Sequence, residues 1–248
     1  MNRGYLFVNR TVRLAGEGVG QSPVQRLCFA LIVFLLTQHG AWAEAGARVH
    51  PVSGRVIAST MSVEGADWLD RPEREREERP EKAIAALHLA PGMNVGEIGS
   101  GTGYYALRIA KRILPGGTYY ANDIQPGMLM RLQANAAAQN LTNVRTVIGT
   151  QQDTRLPTAS LDYVLMVDVY HELSDPQLML RSIAKALKPN GELVLLEFRK
   201  EDPNVPIRPE HKMSTKEAVA ELSAEHYTLD HKVETLPWQH MLFFRQSR

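Results

Sequence analysis

The stretch that decides the fold is Glu97-Ile98-Gly99-Ser100-Gly101-Thr102-Gly103. The run NVGEI leading into it suits a short strand, and about Tyr104 to Leu114 suits a helix closed by Pro115-Gly116-Gly117. Glycines at Gly99, Gly101 and Gly103 let the backbone turn tightly and come close to a ligand stacked on the loop. The helix that follows offers free N–H groups and its positive end to polar or anionic ligand groups. A GxGxG run alone also suits a plain strand-to-helix turn, so its context carries much of the weight.

Working outward, the same alternation continues on both sides. Pro80 suits a first helical turn, and EKAIAALHLA runs to a stop at Pro91-Gly92. TYYAND reads as the second strand, Gly127 to Ala138 as a helix, and VRTVIG and LDYVLMVDV as buried parallel strands. Ser174-Asp175-Pro176-Gln177 has the pattern of a capping box, as does Ser214-Thr215-Lys216-Glu217. Between them ELVLLEF is a fifth strand, followed by a Pro-rich loop from Asp202 to Pro209. The chain ends with TLDHKVETL and QHMLFFRQ, parted only by Pro237-Trp238, a spacing for an antiparallel hairpin. Every earlier connection is a helical crossover, so the fold class is α/β, helices on both faces of the sheet, with an antiparallel edge.

The bulk composition agrees with an ordinary globular chain: 248 residues, 44% hydrophobic, 22% charged, formal charge +1. That balance gives no electrostatic reason to expect a nucleic-acid partner. It also conceals an unlike N-terminus. Leu27 to Leu36 reads LCFALIVFLL, with Arg3, Arg10, Arg13 and Arg26 before it and Ala41-Trp42-Ala43 after it. This is the pattern of a signal peptide over residues 1–43, which predicts a periplasmic or secreted product. An uncleaved membrane anchor is the alternative, although a span needs about 20 apolar residues. Removal of the segment takes away Cys28, the sole cysteine, and leaves 24 basic against 26 acidic residues. No stable membrane span is expected in the mature chain.

Residues 44–79 form a polar extension. Nine of the ten residues from Asp70 to Arg79 are charged, with signs at helical contact spacing, so a solvated helix with internal ion pairs is favoured. A lid over a ligand cleft, with Trp68 as its apolar plug, is the other reading. Asp123 stands 20 residues beyond Gly103 at the end of the second strand, where a carboxylate accepts the hydroxyls of a ribose. An N-cap or turn aspartate fits the same place.

These motifs together resemble those of the class I S-adenosylmethionine (SAM)-dependent methyltransferases. The glycine run resembles the first motif of that family, and YANDI its second, acidic one. LDYVLMVDVYHEL resembles the strand closing the cofactor cleft, LKPNGELVLLEF the turn and strand after it, and the terminal hairpin the last two strands. The resemblance covers Pro80 to Arg248 and implies a Rossmann-like seven-stranded, mostly parallel sheet with a C-terminal antiparallel hairpin. More narrowly, it is to small-molecule methyltransferases related to quinone-biosynthesis enzymes, and to an exported bacterial group sharing the WLDRPERE and HKM segments.

The resemblance implies roles for particular residues. Glu97 sits near the methionine end of SAM; Gly99, Ser100, Gly101 and Gly103 form its floor; Asp123 holds the ribose; Ile124 packs on the adenine. In the loop from Gly149 to Asp153, either Gln152 or Asp153 meets the adenine amino group, and Asp168 approaches the methionine moiety. A methyl group on a sulfonium is already activated, so alignment supplies much of the acceleration. Where the acceptor must lose a proton, the candidate base is His171, with Tyr170 or Glu172 orienting ring or substrate. A structural histidine capping the next helix fits that position equally. Glu197, Arg199, Lys200, His211, Lys212, Trp238, Gln239 and His240 lie at strand ends or loops, where such residues are usually just solvated. No HExxH run or comparable spacing points to a metal.

The leading expectation is therefore a SAM-dependent methyltransferase with a small-molecule acceptor. A SAM or nucleoside binder without catalysis is a second reading. A nicotinamide-dependent oxidoreductase is a third, disfavoured because Tyr104 and Tyr105 follow Gly103 where GxGxxG is wanted, and because of the terminal hairpin.

Overall fold

The computed structural model describes residues 48–247, so the signal-like segment lies outside the described residues. Strands β1 (Val95–Ile98), β2 (Tyr119–Asp123), β3 (Val144–Ile148), β4 (Leu161–Val167), β5 (Leu187–Arg199), β6 (Lys212–Met213), β7 (Tyr227–Val233) and β8 (Gln239–Gln246) build one sheet. Its order is β3-β2-β1-β4-β5-β8-β7, with the two-residue β6 beside the end of β5. The first five strands pair in parallel, whereas β8 runs antiparallel to both β5 and β7. This is the expected α/β architecture, with β6 as an eighth, short strand. Among the described residues no helix is long and apolar enough to cross a membrane.

Alternation along the strands places two cores on the two faces. Helices α1 (Arg74–Glu77), α2 (Pro80–Ala85), α3 (Ala106–Arg112), α4 (Pro126–Ala138), α5 (Pro176–Ala186) and α6 (Thr215–Ser223) follow in chain order. Leu193 and Leu195 of β5, with Leu242 and Phe244 of β8, pack against Met179, Leu180 and Ile183 of α5 and Leu222 of α6. Val194 and Leu196, with Met241 and Phe243, belong to the opposite core with Ile84 of α2 and Ile109 of α3. A strand buried on both faces has no place for polar residues, which is why ELVLLEF is almost continuously apolar. VRTVIG differs from the expectation of a buried strand. As β3 it is the sheet edge, and Ile148 is 41% exposed.

Capping follows the sequence at one helix and not at the other. At α6 the Ser214 hydroxyl accepts from the Glu217 N–H, and the Glu217 carboxylate accepts from the Ser214 N–H, a complete capping box. At α5 the expected box does not form. Asp175 is the N-cap without a side-chain cap bond, and the Ser174 hydroxyl donates instead to Gln151 Oε1 at 2.9 Å. A tertiary contact has outcompeted the local one.

The run from Asp70 to Arg79 is not the solvated helix that its charge pattern favours. Val63–Asp70 is a 3-10 helix and α1 is a single turn, in which Arg74 and Glu77 are buried together with the adjoining Glu78. The preceding segment is held by Arg55, whose Nε and Nη2 donate to the Glu221 carboxylate at 2.8 and 3.1 Å. Arg55 Nη1 also donates to the His171 carbonyl at 2.9 Å, and Ser53 donates to the same Glu221. Both members of this pair are buried, so removal of one strands a charge. Glu221→Ala is expected to lower unfolding stability by about 3–5 kcal/mol in urea titration, and Arg55→Met with Glu221→Leu to recover much of it.

Candidate active site

The strand order reverses between β1 and β4, and the crevice above their carboxyl ends is where such sheets bind ligands. A cavity of about 390 Å³ opens there. Its floor is the loop after β1. Gly99 has φ +69, and a Cβ on it would lie 2.6 Å from Val169 Cγ2, so both backbone conformation and space demand glycine. The loop is tied to β2 by Ser100 N–H donating to the Asn122 carbonyl at 2.9 Å and Gly101 N–H to Asp123 Oδ2 at 3.0 Å. The other oxygen of Asp123 accepts from Gln125 N–H at 2.9 Å. Each carboxylate oxygen keeps a further lone-pair direction, and Asp123 lines the cavity. Burial pushes its carboxyl above the ordinary range, and the backbone donors oppose that shift.

One wall is apolar, made by Ile124 and Met128, with Ile124 38% exposed to the cavity side. Above the floor Leu69 covers Gly101, and the Arg71 guanidinium stacks on the half-exposed Trp68 ring at 3.5 Å. Asp70 accepts from the Thr102 hydroxyl at 2.7 Å, and the Met61 carbonyl from Gln125 at 2.8 Å, so this covering is hydrogen-bonded to the glycine loop and to α4. Arg74, directed inward, grips Glu78 with two bonds of 2.7 and 2.8 Å. Asp168, at the end of β4, has φ +53; its Oδ2 accepts from Gln239 Nε2 at 2.7 Å. Its Oδ1 is buried on the cavity wall with no hydrogen-bond partner among the described residues, an acceptor that a bound donor would satisfy. Burial, with Glu78 and Glu197 nearby, drives the Asp168 carboxyl upward.

At the far end of the cavity Tyr170–Glu172 forms a single 3-10 turn. His171 is 1% exposed. Its Nδ1 bonds Glu197 Oε2 at 2.6 Å, and Glu197 Oε1 accepts from the Tyr170 N–H at 2.9 Å. Nδ1 thus carries the proton given to Glu197, and Nε2 faces His211 Nδ1 at 3.1 Å. Burial raises Glu172 to about 7, and burial with the neighbouring His171 lowers His211.

Gly99, Gly101, Asp123, Ile124, Asp168, His171 and Glu172 all line the cavity, as the sequence led us to expect of site residues. Others stand elsewhere. The Glu97 carboxyl is buried away from the lining, where it accepts from the Tyr119 hydroxyl at 2.7 Å. Ser100 turns its hydroxyl onto the Glu97 carbonyl, and Gly103 packs under Leu132. Neither Gln152 nor Asp153 reaches the cavity, and Gln151 does so instead. Asp153 is occupied with Arg155 N–H and the Ser182 hydroxyl. Tyr170 points into the core, its ring under the Arg55 guanidinium at 5.5 Å, so the ring of His171 is bonded by Glu197 and not by Tyr170, while Glu172 lines the cavity. Glu197 and His211 were visible only as polar residues at a strand end and in a loop, and Arg74 only as one charge among many.

A family model described as "Methyltransferase domain" matches residues 89–242. The chain belongs to this methyltransferase family. A solved SAM-dependent methyltransferase from Aquifex aeolicus is 25% identical, with a TM-score of 0.70, over 75% of this chain and 98% of that one. The glycine floor, Asp123 and the Asp168 acceptor left open among the described residues suit a group of the kind that enzyme uses. Two curated relatives are demethylmenaquinone methyltransferases. That of Listeria monocytogenes is 26% identical over 50% of this chain and 52% of its own; that of Symbiobacterium thermophilum is 29% identical over 47% of each. The chain thus spans about half the length of these relatives. The [4+2]-cyclase SpnF, 15% identical with a TM-score of 0.57 over 68% of this chain and 81% of that one, shares the fold alone.

Burial lifts the Glu97 carboxyl to about 7, against roughly 4.3 for a free glutamate. A raised carboxyl favours the folded state below the unfolded value and loses that contribution as pH rises through 7. The melting temperature is therefore expected to fall less between about pH 5 and pH 8 in Glu97→Gln than in the parent, as read by calorimetry.

Proposed function

We propose that this methyltransferase acts on a small, largely apolar acceptor that loses a proton as it is methylated, with His171 as the base. The observation that carries this reading is the His171–Glu197 pair at the inner end of the cavity. When bound, SAM supplies an activated methyl group on sulfur. Asp123 accepts hydroxyl donors of the cofactor, Ile124 and Met128 cover a flat ring, and the open Oδ1 of Asp168 accepts from an ammonium group. Glu197 holds the imidazole in the tautomer that puts the lone pair on Nε2, where His211 Nδ1 stands at 3.1 Å and the acceptor must take its place to give up a proton, and stabilises the imidazolium that results. Phe198, Met179 and Leu173 line the adjoining wall and suit an aromatic acceptor. The quinone-type relatives support a phenol or quinol as the first acceptor to try. The arginine-flanked apolar run before Ala41-Trp42-Ala43 further supports export, which N-terminal sequencing of the secreted chain tests.

Two substitutions separate cofactor from chemistry. Asp123→Ala is expected to weaken SAM binding about tenfold or more by isothermal titration. His171→Ala is expected to leave that affinity within about twofold and to lower kcat for a phenolic acceptor by about 10²–10⁴-fold. Intact turnover in His171→Ala would remove the base from this reading.

A further inference from the structure

His171 and Glu172 meet a third donor, His211, from the loop beyond β5. His171 Nε2 and His211 Nδ1 lie 3.1 Å apart, and Glu172 Oε1 stands 3.9 Å from the first and 3.8 Å from the second. A point equidistant from atoms at these separations is about 2.1 Å from each, the length of a Zn–N or Zn–O bond. We infer that His171 Nε2, His211 Nδ1 and the Glu172 carboxylate form a site for one borderline transition-metal dication of the zinc or cobalt type.

Four features of the surroundings favour it. The two ring nitrogens face each other at hydrogen-bond distance, so at least one presents its lone pair to the other, and a cation coordinating both takes the place of a proton between them. His171 is held from behind by Glu197, the carboxylate–histidine–metal arrangement that fixes the ring and raises its basicity. Glu172 and Glu197 together offset the two positive charges of the ion, which no lone carboxylate would do in so buried a place. All three ligand residues line the cavity, so a further coordination position opens toward the acceptor end. Two imidazoles and one carboxylate select such ions over magnesium or calcium, which take oxygen donors.

The other grouping of this kind, Glu192, Asp230 and His231, is different. Arg245 already bonds Glu192 at 2.8 Å and approaches Asp230 at 3.5 Å, so a resident cation occupies it. The metal site and the base role of His171 use the same Nε2 lone pair and exclude one another at any instant: the base acts in the ion-free chain, and in the ion-bound chain that lone pair is coordinated.

The test is titration of the full chain, purified without a polyhistidine tag, with cobalt(II) and then zinc(II). The expected result is one equivalent of cobalt giving the visible absorption of a four- or five-coordinate ion, displaced by zinc. His211→Ala, on the partly exposed turn Pro209–His211, is expected to keep the far-ultraviolet circular dichroism of the parent, to lose the cobalt spectrum and to weaken zinc binding about tenfold or more. His231→Ala is expected to change nothing, and Glu197→Gln to weaken binding about 10–100-fold. Absence of the cobalt spectrum, or its survival in His211→Ala, would overturn the site. SAM titrations on the same samples report separately on the methyltransferase reading.

Discussion

The whole arrangement depends on the close approach of Gly99 to Val169. A backbone at φ +69 with no room for a β-carbon lets the end of β1 come down beside the end of β4. That contact sits where the strand order reverses, so it opens the crevice on one side and closes the sheet below it. Gly101 then reaches Asp123 through its N–H, and the cofactor wall and floor become a single hydrogen-bonded unit. Substrate-positioning surfaces built on strand ends in this way are stiffer than surfaces built on free loops.

A second constraint organises the inner end of the cavity. Glu197, fully buried, receives the Tyr170 N–H on one oxygen and His171 Nδ1 on the other. Arg55 grips the carbonyl of His171 from the opposite side and is anchored in turn by Glu221 on α6. The short turn that carries His171 is therefore held between the sheet and the N-terminal segment. Side chains so clamped keep one orientation, which a base or a metal ligand alike requires.

The fold was legible in the chain because its signals are local. Alternating apolar runs, the Pro and Gly stops and the short link at Pro237-Trp238 specify strands, crossovers and a hairpin without knowledge of distant residues, although the link is five residues and not two, because β7 already ends at Val233. The half-exposed β3 was missed because an apolar run does not say whether a strand lies at the centre or the edge. The capping pattern at Ser174 failed because Gln151, distant in sequence, offered its hydroxyl another partner. The charged stretch from Asp70 to Arg79 misled for a similar reason. Its signs suit a solvated helix, yet Arg74 and Glu78 pair beneath a cover that only the tertiary structure brings over the glycine loop.

The sequence by itself determined the parallel sheet, the glycine floor and the place of Asp123, since each follows from spacing within some twenty residues. The tertiary structure alone decided the inner end of the cavity. Glu197 lies 26 residues from His171, His211 lies 40 from it, and Glu221 lies 166 from Arg55. Such groups share no local pattern. His171 and Glu197 converge because the parallel strands β4 and β5 deliver their carboxyl ends to one edge of the sheet, while the loop beyond β5 brings in His211, and α6 and the N-terminal segment bring together Glu221 and Arg55.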